Sequence, residues 1–261
     1  MIAKMKATLK TKRGHLKMKI LFIGGGNIAN IVYNELKDHI EKCWYYDVLQ
    51  TNLPCERMND FTIPNEADVV VECASVEAVK QYGVDILKSG KDFYIISSGA
   101  FSDEDFFDKF MRELKNSNST VYVPSGAIGG LDIVYSIRNF IEKVELITRK
   151  PPKAFGLENV LQEQIIFTGN AREAITKFPQ NTNVSVTLSL AVGDFNKVNV
   201  RIVADPNVDQ NIHEINIYSS VGDYKIIHKN KPSPNPKTSY LAPLSLAAAL
   251  KKRTEKFRIG G

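Results

Sequence analysis

Residues 19–36 have the sequence KILFIGGGNIANIVYNEL, in which three kinds of local pattern follow one another. The run KILFI is apolar after its first residue and rich in isoleucine, which is typical of a short buried strand. Three glycines end this run, and apolar residues at 28, 31, 32 and 36 then recur at helical spacing. The segment therefore predicts a strand, a tight turn and a helix.

The same alternation continues through the next hundred or so residues. Predicted strands lie at 44–48, 68–73, 93–96 and 120–123, and predicted helices at 79–87 and 106–114. The run DVVVEC at 68–73 has no polar alternation, which suits a parallel strand covered on both faces. Strands that alternate with helices indicate an α/β fold with a Rossmann-type, doubly wound parallel sheet, here over residues 18–125.

The pattern changes in the second half of the chain. Runs such as VNVRI at 198–202 and INI at 215–217 alternate apolar and polar residues. They predict a second α+β domain, residues 126–238, which is built on a mostly antiparallel sheet. The run LAPLSLAAALK at 241–251 predicts a helix, and we expect residues 239–261 to return and pack on the first domain.

Basic charge is concentrated at the N-terminus. The chain has 34 Lys and Arg against 29 Asp and Glu, a formal charge of +5, but six of the basic residues and none of the acids fall within residues 1–17. Without those six, the remaining 28 basic residues balance the 29 acids. We therefore expect a disordered basic extension on a nearly neutral body, and no nucleic-acid-binding domain.

Composition excludes several classes of protein. A chain of 261 residues with 43% apolar content can bury a sizeable core, which excludes a disordered body. No run approaches the roughly 18 to 20 consecutive apolar residues that cross a bilayer, and the first residues lack the apolar region of a secretory signal. These observations predict a cytoplasmic protein that makes no membrane contact.

The cysteine pattern argues against both a disulfide framework and a metal centre. Cys43, Cys55 and Cys73 are odd in number and widely spaced, and no His or Cys partner lies at metal-ligand spacing from them. We expect three reduced thiols that pack as small apolar side chains, and no metal site.

The glycine-rich turn after the first strand matches a dinucleotide-binding fingerprint, Gly24-x-Gly26-x-x-Ala29. Gly24 permits the tight turn, Gly26 lets the backbone approach a pyrophosphate, and Ala29 allows close helix–strand packing. The helix that begins near Asn27 and Ile28 would direct unpaired N–H groups and its positive dipole end at the phosphates. A purely structural turn is the alternative.

A carboxylate about 20 residues further along strengthens the cofactor prediction. Asp47 ends the predicted second strand, where it would accept hydrogen bonds from ribose hydroxyls. An acid there disfavours the extra phosphate of NADP, but a nearby cation such as Lys37 or Arg57 would offset it, so NAD and NADP both stay open. Ala74 and Ser75 follow the third strand and are predicted to lie beside a ribose, because ligands bind at strand C-termini in open α/β sheets.

A second glycine cluster, PSGAIGGLD at 124–132, follows the strand predicted at 120–123. Its small residues would let backbone amides reach the nicotinamide ring or a substrate carboxylate. A glycine-rich hinge between the domains is an equally good interpretation of these residues alone.

Proton transfer near neutral pH usually recruits a histidine, and the chain has four. His15 lies in the basic extension, His39 near the end of the first predicted helix, and His228 at the start of a polar loop. His213 is predicted to share one face of a strand with Ile215, on the buried or pocket side. His213 is therefore the catalytic candidate, with a structural histidine as the alternative.

Six segments together resemble the L-aspartate dehydrogenase family. In chain order they are IGGGNIA at 23–29, VECASVEAV at 71–79, PSGAIGGLD at 124–132, FPQNTNV at 178–184, NIHEI at 211–215 and PSPNPKTS at 232–239. The glycine fingerprint is unspecific, whereas the last four in this order are specific to the family. The resemblance covers most of the chain after residue 18, and it is broken by the basic extension and by Cys73, where a smaller residue is more usual.

The resemblance implies a Rossmann domain joined to a substrate domain, and a homodimer. It also implies NAD- or NADP-dependent oxidation of L-aspartate to iminosuccinate, which opens to oxaloacetate and ammonia and feeds de novo NAD biosynthesis. The family's catalytic histidine falls on His213, and its dinucleotide contacts fall on Ala127 and Asn183. From the residues alone, Asn183 would equally suit a helix cap.

Two questions stay open at this point. The substrate carboxylates need cations or amide groups, and the sequence does not rank Arg172, Lys177, Lys197 and Arg201. Two rival functions also remain. One is a homoserine or dihydrodipicolinate type of dehydrogenase, which would share the fingerprint and the strand-rich second domain. The other is a non-catalytic NAD-sensing module that would use the basic extension.

Overall fold

The structure is a computed structural model, and it describes residues 17–178, 182–234, 239–257 and 259. The predicted basic extension therefore lies outside the described residues, apart from its last member. Residues 179–181 and 235–238, which belong to two of the six segments, also lie outside them.

Six parallel strands form the first sheet, in the order β3-β2-β1-β4-β5-β6. The strands are β1 Met18–Ile23, β2 Ile40–Tyr46, β3 Glu56–Met58, β4 Val69–Glu72, β5 Asp92–Ile95 and β6 Val121–Tyr122. The helices between them are α1 Asn27–Leu36, α2 Val76–Lys88 and α3 Glu104–Asn116. The strand order runs outward from β1 and β4 in both directions, so the predicted doubly wound α/β class is confirmed.

Both faces of this sheet are buried, as its continuous apolar strands require. Phe22 and Val71 point into the core under α1, and Leu21 and Val70 point into a second core on the opposite face. Alternate residues of one strand therefore enter two different cores. This arrangement explains why residues 68–73 show no polar alternation.

The second sheet has five strands in the order β11-β10-β7-β9-β8. Its strands are β7 Ile141–Lys150, β8 Gln164–Asn170, β9 Val198–Ala204, β10 Asn211–Ser219 and β11 Tyr224–Asn230, and its helices are α4 Leu131–Ile137, α5 Ala171–Lys177 and α6 Thr182–Val192. Three of the four strand pairings are antiparallel, and β7 pairs with β9 in parallel. The predicted mostly antiparallel second sheet is confirmed.

One face of the second sheet carries the core. Val144, Val200 and Ile215 from three strands pack against Val134 of α4 and Leu188 of α6. Burial on this one face produces the alternating pattern that the sequence shows in β9 and β10.

The last helix, α7 Leu241–Thr254, lies on the first sheet rather than on the second. Leu246, Ala247 and Leu250 are buried in the same core as Ala29 and Val32 of α1. A helix near the C-terminus of the chain therefore covers one face of the first sheet. The helix continues for three residues beyond the predicted run.

The second strand differs from its prediction at both ends. It was expected at 44–48, but it spans Ile40–Tyr46, and Val48 lies in the following loop with 81% of its surface exposed. Glu41 and Lys42 are solvent-exposed members of the strand, and they pair with Lys19 and Glu66. Hydrophobicity marks only the buried half of such a strand.

The expectation of three reduced thiols is wrong for two of the cysteines. Cys43 and Cys55 form a disulfide with their Cα atoms 5.1 Å apart. The register sets Trp44 of β2 opposite Glu56 of β3, so the residues that precede them, Cys43 and Cys55, are neighbours. They are 12 positions apart in sequence, so only strand pairing reveals the bond. Cys73 is a buried free thiol, as predicted.

Two kinds of feature are absent from the described ranges. No helix in them is long and apolar enough to cross a membrane. Within the same ranges, no group of three or more His, Cys, Asp or Glu could hold a metal ion.

Candidate active site

The glycine turn joins β1 to α1 at the carboxyl edge of the first sheet. Gly24 has a φ of +90°, and a Cβ there would lie 2.9 Å from the backbone of Ala74. A Cβ at Gly26 would meet no protein atom within 4 Å. The packing of the protein itself therefore requires the first glycine, whereas the space beside Gly26 is open.

The N-terminus of α1 offers a set of donors that fits a pyrophosphate. No side chain caps the helix at Gly26, and its first turn carries no acid. The first N–H groups of a helix have no partner within the helix and lie at its positive dipole end, a combination that binds phosphate. Asn27 and Ile28 begin this helix, and the Asn27 carboxamide donates a hydrogen bond to Ser233 at 3.2 Å.

Asp47 directly follows β2 and lies against the glycine turn. Its carboxylate accepts hydrogen bonds from the N–H of Gly25 at 2.8 Å and from the N–H of Leu49 at 2.9 Å. This is the position expected of an acid that binds a ribose. Arg57 lies beside it, with its guanidinium 3.5 Å from the Asp47 carbonyl oxygen, whereas Lys37 follows the opposite end of α1.

A cleft of about 310 Å³ separates the carboxyl edge of the first sheet from the second sheet. Six of the predicted site residues line it, namely Ile28, Ala74, Ser75, Ala127, Asn183 and His213. The other four, Gly24, Gly26, Asn27 and Asp47, belong to the turn, the helix start and the strand end beside it. The structure thus gathers the predicted residues at one place.

The first turn of α6 is anchored to the loop after β5. Gly99 donates its N–H to Oδ1 of Asn183 at 2.9 Å, and the Ser98 hydroxyl donates to the Asn183 carbonyl at 3.0 Å. The hydroxyls of Ser98 and Thr187 are 2.7 Å apart and share another hydrogen bond. The bond from Gly99 holds the carboxamide of Asn183 through its oxygen, and Nδ2 is the atom with which this group would donate to a ligand.

Glu72 is a site residue that the sequence analysis missed. It ends β4, is fully buried, and accepts hydrogen bonds from the Ala74 N–H at 2.8 Å and from the N–H and hydroxyl of Ser97, both at 2.9 Å. Burial raises the pKa of Glu72 to about 7, although these hydrogen bonds act in the opposite direction. Its carboxylate joins two loops that line the cleft, and the only sequence signal was an acid that ends an apolar strand.

Strand β11 holds the second glycine cluster. Asn230 donates to the Ala127 carbonyl at 2.7 Å, and Gly129 donates its N–H to Nε2 of His228 at 2.7 Å. His228 therefore lies within a strand, not at the start of a polar loop as predicted. Burial lowers the pKa of His228, which favours the neutral ring that accepts this bond.

His213 lies on β10 with 6% of its surface exposed, on the same face as Ile215 and Ile217. Its Nδ1 is 3.1 Å from the hydroxyl of Thr148, the residue opposite it on β7. Burial, followed by the positive charge of Lys150, lowers the pKa of His213 to about 3. The ring is therefore neutral at physiological pH.

The cations that the sequence left unranked all lie away from the cleft as the structure describes it. Arg172 and Lys177 are on α5, where Arg172 pairs with Glu104. Lys197 donates to a backbone carbonyl near β7, and Arg201 is exposed on β9. A cation that the sequence analysis did not single out, Lys150, lines the cleft instead.

Comparisons with known proteins agree with this arrangement. The family model described as aspartate dehydrogenase, C-terminal, matches residues 132–253, and the model described as homoserine dehydrogenase, NAD binding domain, matches residues 26–124. The L-aspartate dehydrogenase of Thermotoga sp. (strain RQ2) is 46% identical over 245 residues, which cover 93% of this chain and 100% of that protein. The chain belongs to the L-aspartate dehydrogenase family.

Solved structures support the same assignment. The aspartate dehydrogenase of Thermotoga maritima superposes with a TM-score of 0.85 at 41% identity, over 93% of this chain and 99% of that one. A dihydrodipicolinate reductase of Paenisporosarcina sp. TG-14 reaches a TM-score of 0.52 at 7% identity, a likeness of fold alone. The resemblance seen in the six segments is confirmed, and the chain is an oxidoreductase with a nicotinamide-dinucleotide-binding domain.

Proposed function

We propose that the protein oxidises L-aspartate to iminosuccinate with NAD or NADP. The observation that carries this proposal is the cleft in which a neutral, buried His213 and a cationic Lys150 face the predicted dinucleotide contacts. The names of its relatives, L-aspartate dehydrogenases, support the choice of substrate. In this scheme residues 18–125 bind the dinucleotide, and residues 126–238 bind the substrate and the partner subunit.

The dinucleotide-binding residues act mainly through the backbone. The N–H groups at the start of α1 would hold the pyrophosphate, while Asp47 would accept hydrogen bonds from a ribose. Ala74, Ser75, Ala127 and Asn183 would hold the nicotinamide half, because they line the cleft beyond the glycine turn. When bound, the dinucleotide supplies a hydride acceptor at its nicotinamide ring.

The oxidation breaks the Cα–H bond of aspartate, whose electron pair leaves as hydride. The nitrogen loses a proton and forms the C=N bond of iminosuccinate. His213 is neutral and its Nδ1 faces the Thr148 hydroxyl, so Nε2 would be the atom that accepts this proton. Two substrate carboxylates near the ring would raise its pKa and favour this transfer.

Water can then add to the imine carbon and release oxaloacetate and ammonia, with His213 returning a proton to the departing nitrogen. An enzyme that released iminosuccinate intact would instead supply a reaction that condenses it with another metabolite. We propose the second use, as a step that feeds de novo NAD biosynthesis.

The choice between NAD and NADP rests on two neighbouring side chains. Asp47 favours the free ribose hydroxyls of NAD, and the adjacent Arg57 could pair with the extra phosphate of NADP. Arg57 is exposed and reaches Asp47 only through the backbone carbonyl, so its charge is available to a phosphate. This arrangement supports the use of both dinucleotides.

A homodimer is the proposed assembly. An apolar groove of about 1010 Å³ runs between α3 and α4, and its lining includes Phe107, Met111 and Tyr135. Tyr135 leaves 62% of its surface exposed in the single chain. Exposed apolar surface of this kind supports association with a second chain. The cytoplasmic location stays a prediction from the sequence.

The direct test follows the absorbance of the reduced nicotinamide in purified protein supplied with L-aspartate and NAD or NADP. We expect reduction with L-aspartate and none with D-aspartate. Signal with homoserine but not with L-aspartate would keep the fold and refute the substrate. Dinucleotide binding without any turnover would favour a sensor, and light scattering of the same sample would test the dimer.

A further inference from the structure

The cleft has a distinct electrostatic character. Lys150 is the one charged side chain among its described lining residues, and no acid belongs to that set. The other polar groups in it are neutral, and they include the carboxamides of Asn183 and Asn211 and the imidazole of His213. A cleft with a cation and neutral donors favours an anionic ligand.

Strand geometry places this cation near the proposed proton acceptor. Lys150 ends β7, two residues after Thr148, and residues two apart lie on the same face of a strand. Thr148 hydrogen-bonds to His213, and the charge of Lys150 lowers the pKa of that histidine. The ammonium and the imidazole therefore face the same small volume.

Asp205, an acid beside the end of β7, pairs with a different cation. Asp205 donates its backbone N–H to the Lys150 carbonyl at 2.9 Å, which fixes the end of β7. Its carboxylate lies 3.5 Å from the guanidinium of Arg149, which also pairs with Glu163 at 2.7 Å. Arg149 lies on the opposite face of β7 from Lys150. Asp205 and Glu163, the two acids at this strand end, therefore both pair with Arg149.

Burial makes an anionic partner favourable for Lys150. Its side chain is partly buried, and this desolvation lowers the pKa of its ammonium group. A carboxylate bound in the cleft would replace part of the stabilisation that water no longer supplies. A charge-assisted hydrogen bond in such a place is stronger than one at the surface.

We propose that Lys150 binds a carboxylate of the substrate. The inference rests on the proposed function and assigns a residue to its substrate site. L-Aspartate offers two carboxylates, and both share the chemistry that Lys150 recognises.

The test compares Lys150→Met, which keeps the length of the side chain without its charge, with the conservative Lys150→Arg. Lys143→Met is the matched control, because Lys143 lies on the same strand, is exposed, and pairs with Glu145 outside the cleft. We expect the KM for L-aspartate to rise about 10- to 100-fold in Lys150→Met, as for a lost charge-assisted hydrogen bond. Lys150→Arg should recover part of this loss, and Lys143→Met should match the wild type.

Binding of the reduced dinucleotide, followed by its fluorescence, separates a local effect from a general one. We expect its Kd to stay unchanged in Lys150→Met. An unchanged KM for L-aspartate, or a parallel loss of dinucleotide and substrate binding, would overturn the assignment. If the methionine variant does not fold, Lys150→Gln replaces it under the same criteria.

Two amides of aspartate identify the carboxylate that Lys150 binds. L-Asparagine keeps the α-carboxylate, and L-isoasparagine keeps the β-carboxylate. The inhibitor whose Ki rises in Lys150→Met carries the group that Lys150 binds, and either result supports the inference. Succinate binding tests the inference separately from the proposed function. A wild type that binds succinate more tightly than Lys150→Met does, but does not oxidise L-aspartate, would refute the function alone.

Discussion

The two sides of the cleft are built in different ways. On the dinucleotide side, the glycine turn and the start of α1 are contiguous in the chain, and they act through backbone N–H groups. On the substrate side, Lys150 and His213 come from separate segments and meet only through strand pairing. A site made of one local segment shows in a sequence, whereas a site made of distant side chains does not.

The chemistry of the two sides also differs. The dinucleotide side offers helix N–H groups that need no special pKa. The substrate side has a histidine whose pKa is lowered to about 3 and a partly buried lysine. We therefore expect substitutions on the substrate side to change rate and substrate affinity, and substitutions on the dinucleotide side to change stability and dinucleotide affinity.

His213→Ala should have the largest effect. We expect kcat to fall by roughly 10²- to 10⁴-fold, the usual contribution of a general acid or base, with the Kd of the reduced dinucleotide unchanged. Steady-state kinetics and fluorescence titration measure the two quantities. His39→Asn, a buried histidine that does not line the cleft as described, is the control and should keep full kcat. A His213→Ala variant with normal turnover would remove this residue from the mechanism.

Glu72 tests whether the dinucleotide side also depends on a titrating group. The folded state holds the pKa of Glu72 at about 7, above the ordinary value of 4.5. The unfolded state therefore ionises first as pH rises, so the contribution of Glu72 is full below about pH 4.5 and is lost as pH passes about 7.

The variant that isolates this contribution is Glu72→Gln. The difference in unfolding free energy between wild type and Glu72→Gln should shift against the wild type by about 3 kcal/mol between pH 4.5 and pH 8. Urea unfolding at the two pH values measures it. A difference that is the same at both would show that Glu72 keeps its ordinary pKa.

The disulfide provides a smaller perturbation within the dinucleotide side. It closes a loop of 12 residues that carries Asp47, so we expect its reduction to lower the unfolding free energy by about 2 to 3 kcal/mol. Thermal unfolding with and without reductant measures this, and the Cys43→Ser, Cys55→Ser variant should not respond to reductant. The KM for L-aspartate should stay unchanged, and a change in it would contradict the separation of the two sides.

The smallest effects come from two glycines two residues apart. Gly24→Ala forces a left-handed φ on alanine and a contact with the Ala74 backbone, so we expect a stability loss of about 1 to 2 kcal/mol. Gly26→Ala meets no protein atom, so its stability should match the wild type. Its Kd for the dinucleotide should rise about tenfold, the equivalent of one hydrogen bond. Equal stability of both variants would contradict the packing that we assign to Gly24.

Local signals account for what could be predicted from the sequence. The strand, turn and helix at 19–36, the second antiparallel layer and the shared face of His213 and Ile215 all follow from the periodicity of a few consecutive residues. The sequence analysis missed residues whose role depends on contacts with distant parts of the chain. Lys150 ends a strand in a run of mixed polarity, and Glu72 looks like an ordinary strand terminus until its three donors are seen.

The sequence alone determined the fold class, the glycine turn and the family, because each depends on residues that are close together or occur in a fixed order. Only the tertiary structure decided that Lys150 faces His213, that Glu72 joins two loops, and that Cys43 reaches Cys55. Each of these contacts joins residues through the register of neighbouring strands or through loops between them. Register is set by the packing of the whole sheet, and no single segment carries that information.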